Sequence, residues 1–256
     1  MIIIKSEREI EIMKEAGRIT HVALMETAKH IKPGVSTYDL DKIAEQTILK
    51  MGATPGFKGY QGFPGSICSS VNEEILHGIP SKKKILKNGD ILKIDIGAYY
   101  RGYHGDCART FVVGTTTKEN EDLIKVCEES FWVGAREVKP GARLSNIGHA
   151  IEEFVLSHGY SLIKEYTGHG VGQALHEDPS IPNYGKPNEG PVLKEGMVLA
   201  IEPMIATKSN RILLDRDDWT VRMADKGIGA HYENTLAITK DGFIILTTGG
   251  EEVVKK

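Results

Sequence analysis

Cysteine is scarce in this chain. Cys68, Cys107 and Cys127 are the only three in 256 residues, and no two form a CxxC pair. An odd count at wide spacing excludes a disulfide framework and a cysteine-based zinc knuckle, and it fits a reducing cytoplasm. Long apolar runs are missing as well. Met1-Ile-Ile-Ile-Lys5 meets charged sequence at once, without the apolar stretch of a signal peptide, and no later segment reaches the length of a membrane span. Positive charge is not in excess: 32 lysines and arginines stand against 35 aspartates and glutamates, so nothing favours a nucleic-acid site. The densest basic spot, Lys82-Lys83-Lys84, reads as a solvated turn. No HExxH metalloprotease motif occurs. Thr167-Gly-His-Gly-Val-Gly172 lacks the GxGxxG spacing of a dinucleotide loop and the helix that should follow it.

What is present is the composition of an ordinary globular domain, 40% hydrophobic and 26% charged. The length suits one core. Four amphipathic helices follow from the apolar spacing. The first opens on the capping pattern Ser6-x-x-Glu9 and carries Ile10, Met13 and Ala16. A second runs from about Ser36 to Gly52, a third from about Glu119 to Val138 before Pro140, and a fourth from near Ser145 to Gly159.

The chain also repeats itself. Lys32-Pro33-Gly34 recurs 107 positions later as Lys139-Pro140-Gly141. The same offset matches Leu40 with Ile147, Ala44 with Ile151, Gly52 with Gly159, and Asp95 with Glu202. A repeat this long is a duplicated half-domain. Strands follow the helices in each half: 91–99 and 104–113 as a hairpin turning at Arg101-Gly102, then 197–205 and 231–239. Helix pairs followed by antiparallel strands, twice over, indicate an α+β fold with a pseudo-twofold axis. The expectation is a single catalytic domain over 1–256, with halves at approximately 6–113 and 119–248.

Acidic residues gather where these halves should meet. Asp95 and Asp106 lie on the two arms of the hairpin, directly opposite if the turn is centred between residues 100 and 101. Like charges across strands destabilise a hairpin, and buried carboxylates are costly unless paired. A shared cation removes both problems; the alternative is one buried and one exposed aspartate near a turn. The other half contributes Glu202 and Glu233, the latter in His231-Tyr-Glu233-Asn, which answers His104-Gly-Asp106-Cys. Four carboxylates in one pocket retain protons unless divalent cations are present. His169, between glycines that allow close backbone approach, is the candidate nitrogen ligand.

Taken in order, Leu-His77-Gly-Ile-Pro, Asp95, His-Gly-Asp106, Tyr-Thr-Gly-His169-Gly-Val-Gly, His176, Ile-Glu202-Pro-Met and His-Tyr-Glu233-Asn-Thr resemble the motifs of type I methionine aminopeptidases. The resemblance spans nearly the whole chain. It implies the "pita-bread" fold and two divalent metal ions, with Asp95 chelating one, Asp106 and Glu233 bridging both, and His169 and Glu202 completing the shell of the second metal. It further implies removal of N-terminal methionine before a small second residue, through a hydroxide shared by the metals. Glu202 would carry the proton, and His77 and His176 would contact substrate and stabilise the tetrahedral intermediate. An oxygen-rich ligand set with one imidazole suits cobalt, manganese or iron, with zinc or nickel as alternatives. Phe57, Tyr60, Phe63, Cys68, Leu175, Met204 and Trp219 match the family's methionine pocket, with core packing the alternative for Leu175 and Met204. The implied partners are the N-termini of nascent peptides at the ribosome, met by a monomer with no nucleic-acid or membrane site.

Three competing readings are weaker. Proline dipeptidases and aminopeptidase P share such ligands but normally carry an additional N-terminal domain, for which Asp95 comes too early. Non-catalytic relatives lose metal ligands, and all five are present here. Type II enzymes insert a helical subdomain where only 26 positions separate His176 from Glu202.

Overall fold

Helix α1 (Glu7–Ala28) starts where the capping pattern places it. The Ser6 hydroxyl accepts from the Glu9 N–H, and the Glu9 carboxylate accepts from the Ser6 N–H. Helix α2 (Thr37–Lys50) repeats the device with Ser36 and Asp39. Helix α3 (Lys118–Ala135) ends before the expected Val138, and α4 (Ser145–Ser157) begins as expected. The computed structural model describes residues 1–249; residues 250–256, counted in the single-domain expectation, lie outside the described residues.

The internal repeat reappears in the hydrogen bonding. Gly34 N–H donates to Leu86 O at 2.8 Å and Leu86 N–H to Val35 O at 2.9 Å. Their counterparts, Gly141 to Leu193 and Leu193 to Ala142, measure 2.9 and 2.8 Å. Helices α2 and α4 both end on a left-handed glycine, Gly52 and Gly159, each at φ 79°.

A nine-stranded antiparallel sheet carries both halves. The hairpin Ile91–Tyr100 and Tyr103–Val112 forms one half and Val198–Ile201 with Glu233–Thr239 the other. They join through Glu233 opposite Ala108 and Asn234 opposite Cys107. The helix pairs cover one face: Leu24, Leu40 and Ile48 of α1 and α2 bury Leu92, Ile94 and Ile96, while Phe131, Ile147 and Ile151 of α3 and α4 bury Leu199, Ile201 and Leu236. Each such side chain contributes about 1.5–3 kcal/mol of transfer free energy. Because side chains alternate along a strand, Asp95 points away from the helices. The helix α1 can lie close to the hairpin because glycine meets glycine: a Cβ on Gly105 would fall 2.7 Å from the Gly17 Cα.

Three strand expectations need correction. The hairpin pairs Asp95 with Ala108 and Asp106 with Gly97, so the two aspartates are diagonal rather than opposite. The reason is the loop, whose central residues are Arg101 and Gly102, at φ 47° and 92°; positive φ at both defines a two-residue type I′ turn, which moves the register by two. The expected strand 197–205 is two, Val198–Ile201 and Met204–Ala206, lying in different sheets. Pro203 lacks the N–H that would continue the ladder. The expected strand 231–239 likewise breaks at Tyr232 into Gly229–His231 and Glu233–Thr239.

The register also changes which residues correspond. Ile94 pairs with Arg109, and its repeat partner Ile201 pairs with Asn234. Asn234 therefore answers Arg109, Glu233 answers Ala108, and the residue that answers Asp106 is His231, not Glu233. Two side-chain clasps agree. Thr235 Oγ1 accepts from Asp106 N–H at 3.2 Å and donates to Asp106 O at 2.8 Å. Thr110 does the same to His231, at 2.9 and 2.8 Å.

Candidate metal centre

The five expected ligands converge on the sheet face away from the helices, and all are buried. Asp95 and Asp106 project from the hairpin, His169 from the short strand Gly168–Gly170, Glu202 from the break before Pro203, and Glu233 from the first residue of its strand. His169 Nδ1 lies 2.8 Å from Gly170 O. A proton held there by the carbonyl leaves the Nε2 lone pair free, as a metal ligand requires. Nε2 faces Asp106 Oδ2 at 3.8 Å and Glu202 Oε1 at 3.6 Å, the separation of donors about 2.0–2.2 Å from one ion.

Asp106, His169 and Glu233 each offer a ligand atom within 4.8 Å of the others, and so do Glu202, His231 and Glu233. Asp95 Oδ1, Asp106 Oδ1 and Glu233 Oε1 are buried without a hydrogen-bond partner. Such orphans are costly unless a cation takes them up, so the donor set fits divalent ions.

The electrostatics agree. Burial raises the Asp95 carboxyl to about 7 against the pull of His231, with Glu202 adding to the rise. Burial brings Glu202 to about 8. Burial, then neighbouring acids, push Asp106 and Glu233 well above the carboxylate range. The imidazoles move the other way: burial holds His169 down to about 3, and His77 and His231 to about 4. Neutral imidazoles are ligands, and a divalent ion would ionise the acids.

Beside these residues opens a cavity of about 150 Å³, a size that in an engineered apolar core admits one benzene. Phe57, Tyr60, Phe63, Cys68, Leu175 and Trp219 line it, together with His77, His176 and the acids. Trp219 meets Phe63 edge-on at 5.1 Å. Gly97 makes room for Phe57, whose ring would lie 2.7 Å from a Cβ there. His176 Nδ1 and the Tyr60 hydroxyl hold each other at 2.8 Å, and the His176 ring packs 4.2 Å from that of His169. His77 sits at φ 56°, a left-handed conformation that costs a non-glycine residue energy and often marks a site.

The sequence profile described as metallopeptidase family M24 matches residues 11–240. The chain belongs to this family. Among M24 relatives, methionine aminopeptidase 1 of Bacillus subtilis is 57% identical over 247 residues, covering 96% of this chain and 99% of that protein. A crystal structure of methionine aminopeptidase from Thermotoga maritima superposes with a TM-score of 0.95 at 45% identity, covering 97% of this chain and 100% of that one. Prolidase from Pyrococcus furiosus reaches a TM-score of 0.78 at 28% identity, over 97% of this chain and 66% of that one. The M24 chain thus has the pita-bread fold, a curved antiparallel sheet covered by four helices.

One expected pocket residue of this M24 site lies elsewhere. Met204 is fully buried with Ile75, Leu76 and Val221, behind the cavity wall. Two residues not singled out from sequence, Gln61 and Leu76, do line it. His231 was also passed over, although it stands in the quoted motif. The spacing of Thr110 and Thr235 on their strands is the signal that could have found it.

Proposed function

We propose that this M24 chain removes methionine from the amino terminus of peptides with a small second residue. The observation that carries the reading is the junction of five buried carboxylate and imidazole side chains, Asp95, Asp106, His169, Glu202 and Glu233, with a cavity sized for one apolar side chain. In this reading Asp95, Asp106, His169, Glu202 and Glu233 would hold two divalent ions, Asp95 serving one, His169 and Glu202 the other, and Asp106 and Glu233 both. When bound, such a pair supplies Lewis acidity and a water acidic enough to react near neutral pH.

The protein's own groups do the rest. Phe57, Phe63, Cys68, Leu175 and Trp219 enclose the methionine side chain, and Tyr60 orients His176. His77 and His176 stand where hydrogen bonds to the first peptide bond would strengthen as its oxygen gains charge. Glu202 accepts a proton and returns it to the leaving amine. The oxygen-rich set suits manganese, iron or cobalt over a thiolate-type zinc site.

The proposed unit is a monomer with a single catalytic domain made of halves 6–113 and 119–248. Among the described residues no helix is long and apolar enough to cross a membrane, and Cys68, Cys107 and Cys127 are free and buried. The proposed substrates are nascent peptides and the proposed place of work is the cytoplasm. The test is a peptide panel. Met-Ala-Ser should be cleaved far faster than Leu-Ala-Ser or Xaa-Pro peptides, with activity lost to a chelator and restored by Mn(II), Co(II) or Fe(II). Efficient Xaa-Pro turnover without methionine preference would overturn the reading.

A further inference from the structure

His231 is 1% exposed, and neither ring nitrogen has a hydrogen-bond partner. Its Nε2 lies 3.6 Å from Glu202 Oε2 and 4.0 Å from Glu233 Oε2. The other oxygen of Glu202 lies 3.6 Å from His169 Nε2. Glu202 therefore stands between two imidazoles, one at each oxygen. The two rings differ in what holds their far side. His169 Nδ1 faces a carbonyl, which keeps its proton there and turns a lone pair toward the carboxylates. His231 Nδ1 faces no acceptor, so a proton placed there would be a buried, unsatisfied donor. On Nε2 the same proton points at two carboxylates. The backbone that carries the ring is held from behind, because Thr110 clasps both the N–H and the C=O of His231.

We propose that His231 is a positioning residue whose Nε2–H holds Glu202 Oε2, leaving Oε1 on the side of His169 Nε2 as the oxygen that would serve a metal and carry the proton. The duplication explains its origin. The position that holds the bridging aspartate in the first half, Asp106, holds an imidazole donor in the second. A carboxylate that must both bind a metal and carry a proton gains from having one oxygen tied, since rotation of the group would exchange the two roles. Outer hydrogen-bond partners of metal ligands act in this way. The proposal rests on the aminopeptidase reading for the role of Glu202, but the geometry around His231 does not.

The experiment compares metal-loaded wild type, His231→Gln and His231→Leu. Glutamine keeps an N–H donor at similar reach; leucine keeps the bulk and removes it. His231→Leu should lower kcat on Met-Ala-Ser by about 10–100-fold, with KM changed by less than about threefold and two metal ions per chain retained in calorimetric titration. His231→Gln should recover most of kcat. Nitrogen-15 NMR of histidine-labelled, zinc-loaded wild type should show His231 neutral, protonated on Nε2 and not coordinated. That spectrum needs no variant to fold and no particular peptide to be cleaved. Loss of a metal ion in His231→Leu, or a coordinated His231 nitrogen, would make it a ligand and overturn the proposal. Wild-type kcat in His231→Leu, or His231→Gln as slow as His231→Leu at an unchanged melting temperature, would overturn it as well. A wild type that releases no methionine sinks the function instead, leaving the metal count and spectrum to judge His231.

Discussion

Asp95 and Glu202 keep their protons in the folded, metal-stripped protein up to about pH 7 and 8, while an unfolded chain loses them near 3.8 and 4.5. Across that interval the folded form binds more protons, so these groups contribute stability that is lost as pH rises. His169, His77 and His231, held at about 3 to 4, act with the opposite sign, but only up to 6.5, where an unfolded histidine is half neutral. Lys93 is fully buried and donates to Asn72 O at 2.6 Å; burial holds it down to about 7, and above that it also favours folding. Against it stands Glu202, which holds its proton to about 8, with Asp106 and Glu233 raised in the same direction. The chelator-stripped protein should therefore lose melting temperature between pH 6.5 and 8, and the Mn(II)-loaded protein should lose less. Circular-dichroism melts at the two pH values check this, and a stripped protein that gains stability over the range would contradict it. At this scale the sequence was informative where chemistry is local. The five expected ligands lie together, and six of the seven expected pocket residues line the cavity beside them, because a carboxylate or an aromatic ring announces itself. Met204 did not, since nothing in a methionine tells cavity wall from core behind it.

The elements that position these residues were legible in proportion to how local their signals are. The capping pattern at Ser6 and the apolar spacing of α2 and α4 concern neighbours within one or two turns, and the helices form there. Strand register depends on the backbone at Arg101 and Gly102, a difference in turn geometry that the alternation of the arms does not report. Asp95 and Asp106 are diagonal for that reason. The breaks after Ile201 and at Tyr232 were hidden by strands that look continuous in composition, although Pro203 was a visible warning. The docking of α1 on the hairpin is testable. With Gly17 backbone 2.7 Å from a Cβ at Gly105, Gly105→Ala must push the helix away from the strand that carries Asp106. A cost of about 1–3 kcal/mol is expected for such overpacking. Urea unfolding of the loaded protein measures it, and an unchanged midpoint would show that the contact is looser than described.

Across the whole molecule, the candidate site lies where the hairpin part of the sheet meets the part formed by Val198–Ile201 and Glu233–Thr239. The offset of 107 positions was visible from Lys32-Pro33-Gly34 and Lys139-Pro140-Gly141, and it correctly paired Asp95 with Glu202. The likeness of His104-Gly-Asp106 to His231-Tyr-Glu233 mispaired Asp106 with Glu233, because the loops between the paired strands differ in length and only the ladder shows the match with His231. Glu233 instead lies opposite Ala108, in the one strand pairing that joins the halves. Asp106 and Glu233 thus reach the centre from different halves, and the bridging assignment needs both. The most direct measurement is metal content and turnover of Asp106→Asn at full Mn(II) loading. Bridging predicts loss of Met-Ala-Ser cleavage together with loss of the second metal ion per chain. An Asp106→Asn protein that kept two tightly held ions, or that turned over at the wild-type rate, would contradict it.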